Sequence, residues 1–303
     1  MSYTLLGKDF LPPDVRAKVT GRAKYAEDFQ VEGMLFCKLL TSPLPHARVQ
    51  NIDASEALAM PGVFGILTPD EVPTPPPPNQ KILTDEPLFV GDPILAVAAT
   101  DETTAQDAID RIRLDYEELP FTVDPLDSLY PGGPDARSDG NVFSALSRNL
   151  THMKWNARDF AAVGEDQLPM GAPIEEWSFG DIETGFAEAD LVLDETFTTA
   201  GVSHHSMEPR SAMAYWQNGK LFLHGSTQSQ TAIMPGLAEM LEMDVNDIVY
   251  IAEYCGGGFG SKSRAYPIMC VPALMSQKLQ RPVMMRINRH EEYFMGLARP
   301  RSD

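Results

Sequence analysis

An apolar strand that runs straight into a glycine cluster constrains this chain more than any other segment. Ile248 to Tyr254 reads as a strand, Cys255-Gly256-Gly257-Gly258-Phe259-Gly260 follows at once, and Ser261-Lys262-Ser263 comes next. Without Cβ atoms such a segment can turn tightly, let another group approach its backbone, and aim its amides at an oxyanion or an oxygen ligand. Three readings fit these residues. Gly256, four residues and Ser261-Lys262-Ser263 come near the phosphate loop G-x-x-x-x-G-K-[ST], with Ser261 where the second glycine belongs. The run also holds G-x-G, the start of a dinucleotide fingerprint, but not its last glycine, and no acid lies about 20 residues on. The third reading is a tight structural turn.

Composition narrows the partners. The 303 residues carry 24 Lys+Arg against 43 Asp+Glu, a net charge of −19. An acidic protein repels nucleic-acid phosphates and anionic lipid. The charge is uneven, because residues 254–303 carry +5 and the first 253 carry −24. Three cysteines, Cys37, Cys255 and Cys270, fit no zinc, iron–sulfur or disulfide spacing. The N-terminal residues lack the apolar core of a secretory signal, and no run approaches the roughly 20 apolar residues of a membrane span. A cytoplasmic protein is the expectation.

The pattern along the chain predicts two domains joined by an irregular stretch. In residues 1–128, Met34–Leu40 and Val63–Leu67 read as strands, and Asp53-Ala54-Ser55-Glu56 reads as a capping box ended by Pro61-Gly62. Pro73-Thr74-Pro75-Pro76-Pro77-Pro78 is a stiff spacer. Ile94–Ala99 is an apolar strand, Asp101 caps a helix with Ala105, Ala108, Ile109 and Ile112 on one face, and Arg113–Leu119 is a further strand. Residues 129–180 have little periodicity and are read as a linker anchored by Trp155 and Trp177. From 181 on, Leu191–Phe197 alternates like a strand. Ala212–Trp216 and Lys220–Gly225 form a hairpin across Gln217-Asn218-Gly219, and residues 231–243 form a helix with Pro235 in its first turn.

The glycine cluster does not stand alone. Gly225-Ser226-Thr227-Gln228 and His205-Ser206-Met207-Glu208-Pro209-Arg210 precede it, and Arg289-His290-Glu291-Glu292 follows. The first domain adds Gly21–Asp28, Ser42–Arg48, Val90-Gly91-Asp92-Pro93 and Asp115–Pro120. In this order the set resembles the large, molybdopterin-binding subunit of the xanthine oxidase family of molybdenum hydroxylases, over nearly all of the chain apart from about 129–180.

The resemblance implies an α+β fold. A small α/β hammerhead domain over 1–128 is followed, after the insertion at 129–180, by the first part of the molybdenum-cofactor domain over 181–303. It implies that Gln228 hydrogen-bonds the oxo ligand of molybdenum and that Gly256, Gly257, Gly258, Phe259 and Gly260 lie against the cofactor, with no residue of this chain ligating the metal. Ser263 stands where purine-oxidising relatives carry a glutamate, which makes it a substrate-pocket candidate and argues against a xanthine-like substrate. The implied activity is oxidation of an electron-poor carbon, in an N-heterocycle or aldehyde, with water-derived oxygen. The implied cofactor is molybdopterin in its cytosine dinucleotide form, shared with a partner chain that carries the general base and the missing half of the domain. Iron–sulfur clusters and FAD are expected on further subunits. The basic stretch 254–303 is expected to face the cofactor's phosphates or an acidic partner. The alternatives are a non-catalytic scaffold or assembly subunit that keeps the fold, and a nucleotide-binding protein of the phosphate-loop kind.

Overall fold

The computed structural model describes residues 4–75, 81–135, 154–163, 167–169, 175–195, 197 and 199–299. Contacts divide the chain into two compact units. One is Met1–Leu119 with Ser203–Ala298, the other Pro120–Val202 with Arg299–Asp303. In the first unit the elements run α1 Val15–Val19, β1 Leu35–Thr41, β2 Ala47–Asp53, α2 Ser55–Leu58, β3 Val63–Leu67, β4 Pro93–Ala99, α3 Glu102–Ile109 and β5 Arg113–Glu118. Helices α4 Pro125–Leu129, α5 Ala157–Ala161 and α6 Ile182–Glu188 belong to the second unit. After the short strand β6, Val202–Ser203, come β7 Ser211–Gln217, β8 Lys220–Gly225, α7 Gln230–Leu241, β9 Ile248–Ile251, α8 Cys270–Leu279, β10 Val283–Arg286 and α9 Arg289–Met295.

A mixed seven-stranded sheet, in the order β3-β4-β1-β10-β7-β8-β9, organises the first unit. Its middle is the parallel pair β1–β10, with Leu35 opposite Val283 and Cys37 opposite Met285. This pair joins the first 120 residues to the last 100 in one hydrophobic layer. The stretches expected as separate domains, 1–128 and 181–303, therefore share a sheet, and the compact units do not divide at 128 and 181. Side-chain chemistry explains the layering. Ile94–Ala99 is fully buried, as a strand covered on both faces must be. Leu95 and Val97 pack with Ala57, Ala108 and Ile109 of α2 and α3. Ala96 and Ala98 face the larger core, which also holds Ile233 and Leu237 of α7 and Met275 of α8. Polar ties reinforce the join: Arg286 grips Glu102 with two bonds of 3.0 and 2.8 Å, and Ser211 Oγ donates to Glu27 at 2.8 Å. The strands β2 and β5 form a separate antiparallel pair.

Several expectations need correction. Asp53 accepts from the Ser55 amide at 3.0 Å and hydroxyl at 2.6 Å, but Ala54 occupies the N-cap, and Glu56 bonds Arg113 instead of reaching back. Helix α7 starts one residue earlier than expected, capped by Ser229, and Pro235, its sixth residue, sits in the second turn and not the first. The ring there deprives the Thr231 carbonyl of its helical donor, which an exposed face tolerates. Strand β9 stops at Ile251, where the next carbonyl, of Ala252, takes the Gln230 side chain instead of continuing a ladder. The described residues of Leu191–Phe197 form no strand. In the second unit Trp155 meets Tyr130 and Phe160 edge-on at 5.6 Å, whereas Trp177 is exposed. Pro76, Pro77 and Pro78 of the proline-rich spacer lie outside the described residues.

Candidate cofactor-binding site

The site forms where two parallel strands end together. β8 and β9 pair in parallel from Leu221–Ile248 to His224–Ile251, so the segments leaving their carboxyl ends emerge side by side. Ligands of open α/β sheets gather at such ends. Ser226-Thr227-Gln228 leaves β8 and the glycine cluster leaves β9.

Gln228 and the cluster are stitched together. The Gln228 amide N donates to the Lys262 carbonyl at 3.0 Å. Its side-chain Oε1 accepts from the Gly260 amide at 2.9 Å and the Lys262 amide at 3.2 Å. Two N–H donors at one atom identify it as the oxygen. The Nε2 group therefore points away from them, and among the described residues it has no hydrogen-bond partner. Gln228 itself is exposed.

The glycines are required by what lies beside them. A Cβ on Gly258 would stand 2.4 Å from the Gln228 side chain, and one on Gly256 would stand 2.5 Å from Glu208 Cβ. At Gly257, with φ +104°, the Phe259 ring lies 3.2 Å from the Cβ position. Phe259 has φ +53° and is 69 % exposed, an unfavourable placement for a large apolar residue on both counts. Ser263 Oγ donates to the Gly260 carbonyl at 2.8 Å, so this hydroxyl ties the turn.

Beneath the cluster lie two buried ion pairs that sequence reasoning did not single out as site residues. Glu208 Oε2 accepts from the Gly256 amide and the Ser226 hydroxyl, each at 2.7 Å. Lys262 Nζ, fully buried, donates to the Glu208 carbonyl at 2.6 Å and to Oε2 at 3.3 Å. Arg210 pairs with Glu292 and donates to the Ser261 carbonyl at 2.5 Å. Its guanidinium also lies 4.8 Å over the Tyr266 ring. The Tyr266 hydroxyl donates to the Ser226 carbonyl at 2.8 Å, and burial raises the pKa of this phenol, so it stays a donor. Removing one member of a buried pair leaves its partner's charge uncompensated, at a cost of roughly 3–5 kcal/mol. The available signal was the motif His205–Arg210 together with Arg289–Glu292, whose charges meet only in the fold.

These contacts exclude the phosphate-loop reading. Its lysine must reach a phosphate, and Lys262 is consumed by Glu208. Much of the basic stretch is likewise engaged inside the first unit. Lys278 pairs with Glu71, Arg286 with Glu102, Arg281 donates to the Gly33 carbonyl, and Arg289 donates to the Ser206 and Met207 carbonyls. Arg264 and Arg299 are exposed, and Arg301 lies outside the described residues. Among the described residues no three His, Cys, Asp or Glu side chains gather as a metal site.

The residues present fit a group bearing a hydrogen-bond acceptor. An oriented amide donor, exposed at the end of β8, meets a glycine turn that the chain's own side chains hold in place.

Comparison with known proteins agrees with this chemistry. Residues 20–120 match the a/b hammerhead domain of aldehyde oxidase and xanthine dehydrogenase, and residues 166–302 match the molybdopterin cofactor-binding domain. The nicotinate dehydrogenase large molybdopterin subunit of Eubacterium barkeri is 29 % identical over 299 residues, covering 95 % of this chain and 63 % of that one. A probable xanthine dehydrogenase subunit of Bacillus subtilis is 30 % identical over 294 residues, covering 95 % and 35 %. The crystal structure of quinoline 2-oxidoreductase from Pseudomonas putida 86 superposes with a TM-score of 0.75 at 26 % identity, covering 95 % and 35 %. The chain thus spans 63 % of the first relative's length and about one third of the other two. With both domains matched in order, the chain belongs to the xanthine oxidase family of molybdenum hydroxylases, as the N-terminal part of the large, molybdopterin-binding subunit.

Proposed function

We propose that this chain holds one side of a molybdenum cofactor in an enzyme that oxidises an electron-poor carbon with water-derived oxygen. The single observation that carries this reading is the oriented Gln228 amide, whose Oε1 is fixed by Gly260 and Lys262 and whose Nε2 faces outward. Bound molybdopterin would supply two-electron redox chemistry at the metal. The chain's own residues position and donate. Gln228 Nε2 offers a hydrogen bond to the oxo ligand. Gly256 and Gly258 let Glu208 and Gln228 pack against the turn that would carry the group. The Phe259 ring lies beside Gly257 on the exposed side of the turn. Glu208 and Lys262 hold the turn in place from below.

The substrate class is an N-heterocycle or aldehyde. The names of the nicotinate, quinoline and xanthine relatives support a heterocycle, and Ser263 in place of the purine-binding glutamate argues for a ring other than xanthine. The general base and the remaining contacts to the cofactor would come from the part of the molybdopterin-binding subunit that the relatives carry beyond the matched stretch. Electrons leave through iron–sulfur clusters and FAD on further subunits, the pterin carries a cytosine dinucleotide, and the complex works in the cytoplasm. No helix among the described residues is long and apolar enough to cross a membrane.

Gln228→Ala tests the donor role. Loss of one preorganised hydrogen bond to the reacting centre should lower turnover about tenfold to a thousandfold, with assembly of the complex and its molybdenum content retained. Unchanged turnover in a molybdenum-loaded variant would overturn the oxo contact.

A further inference from the structure

One charge beside the glycine turn has no counter-charge. Five ionised side chains bond to the turn, residues 256–263, or to the segment 206–210 that lies against it. Glu208 is paired with Lys262, and Arg210 with Glu292. The fifth is Arg289, at the start of α9, which forms no ion pair among the described residues. Its Nη2 donates instead to the Ser206 carbonyl at 2.6 Å and the Met207 carbonyl at 3.1 Å. Its Nη1 is buried with no hydrogen-bond partner among the described residues. Glu291, two residues on, turns to the Asn288 amide at 2.6 Å, and Glu27 and Glu102 are spent on Ser211 and Arg286. One positive charge is therefore left over at the turn. A half-buried guanidinium without a carboxylate is costly to desolvate, and a buried donor left unpaired calls for a reason.

The reason lies in where the charge sits. Ser206 Cβ is 3.5 Å from the Cβ position of Gly257, and the Glu208 amide donates to the Gly256 carbonyl at 3.2 Å. Arg289 thus stands one layer of backbone behind the turn, and with Nη1 out of water its field is weakly screened. We propose that Arg289 is a positioning residue with two effects: it pins the segment 206–208 through two carbonyls, and its uncompensated charge favours the electron-rich state of the group held on the turn. This role rests on the proposed function, which puts a two-electron metal centre there. A cation fixed nearby makes such a centre easier to reduce, and so a better acceptor for electrons from the substrate carbon.

The test uses the complex purified through the full-length chain, with molybdenum, pterin and melting temperature measured for every variant. Arg289→Gln removes the charge, whereas Arg289→Lys keeps it without the guanidinium fork. In redox titrations followed by electron paramagnetic resonance, Arg289→Gln should raise the oxidised-to-reduced ratio of molybdenum at a fixed potential at least about tenfold, which is about 59 mV for one electron. Arg289→Lys should stay within about threefold of the parent, because the charge remains. Met207, 89 % exposed, offers a second route that leaves Arg289 and both of its bonds in place. Met207→Glu should raise the ratio as Arg289→Gln does, and Met207→Gln should not. A molybdenum-loaded Arg289→Gln protein with the parent's ratio would overturn the proposal, as would Arg289→Lys displaced equally far. If Arg289→Gln does not assemble, the Met207 pair decides, and equal ratios in its two members overturn the role of charge. A parent complex without molybdenum would overturn the proposed function and this role with it. A loaded parent whose variants do not move would overturn this role alone.

Discussion

At the residue scale, the chain spends its most costly chemistry on holding a backbone turn. Glu208 alone accepts hydrogen bonds from Gly256, Ser226 and Lys262, and none of these bonds contacts an outside ligand. Asp92, in the Val90–Pro93 motif, shows the opposite arrangement. Burial raises its carboxyl pKa to about 6, while one bond of 3.0 Å from the Leu88 amide and the charge of Lys81 pull it down less strongly. A raised carboxylate pKa means the native state binds a proton that the unfolded state releases between about pH 4 and 6. The contribution to stability is full below that window and is lost as pH rises through it. Asp92→Asn keeps the acceptor and removes the charge. It should stabilise the protein at pH 8 by at most about 3 kcal/mol, with the gain vanishing near pH 4. Denaturant melts at the two pH values check this, and an equal effect at both would contradict it. The outcome that sequence could not foresee is Lys262. In the chain it stands in a near phosphate loop, but its role depends on Glu208, 54 residues away.

At the scale of elements, local chemistry was legible and non-local chemistry was not. The hairpin follows from Asn218 and Gly219, which take φ of +52° and +77° as a tight two-residue turn requires. Helix α3 follows from Asp101, whose carboxylate accepts from the Thr104 amide at 2.8 Å. The Leu191–Phe197 alternation misled because a strand is completed by a neighbour, and a pattern cannot supply one. The sharing of one sheet by β1 and β10 is likewise absent from any window of sequence, since nearly 250 residues separate Leu35 from Val283. The loop and the β8 end form a single element in practice. A Gly258→Ala methyl would stand 2.4 Å from Gln228 Cγ, Cδ and Oε1, so the side chain must leave and both bonds to Oε1 be lost. We expect a loss of about 1–3 kcal/mol, seen as a fall of several degrees in melting temperature. An unchanged melting temperature would mean that Gln228 does not rest on this glycine.

At the scale of the whole molecule, charge has a different meaning from the one composition suggested. The basic stretch after residue 253 is spent mostly within the first unit, on Glu208, Glu71, Glu102 and backbone carbonyls. Residues 175–197 hold eight acids and no Lys or Arg, and large apolar side chains such as Trp177 and Leu193 are exposed in the same stretch. The family was legible because its motifs lie in order along the chain, although their geometry was not. Gln228 and the glycine cluster were found from the resemblance, while the ion pairs that support them emerged only when strands β8 and β9 were seen to end together. The central claim is that this chain helps to hold molybdopterin. Metal and pterin analysis of the complex purified through this chain tests it most directly. Stoichiometric molybdenum and pterin are predicted, and a fully assembled complex containing neither would contradict the account.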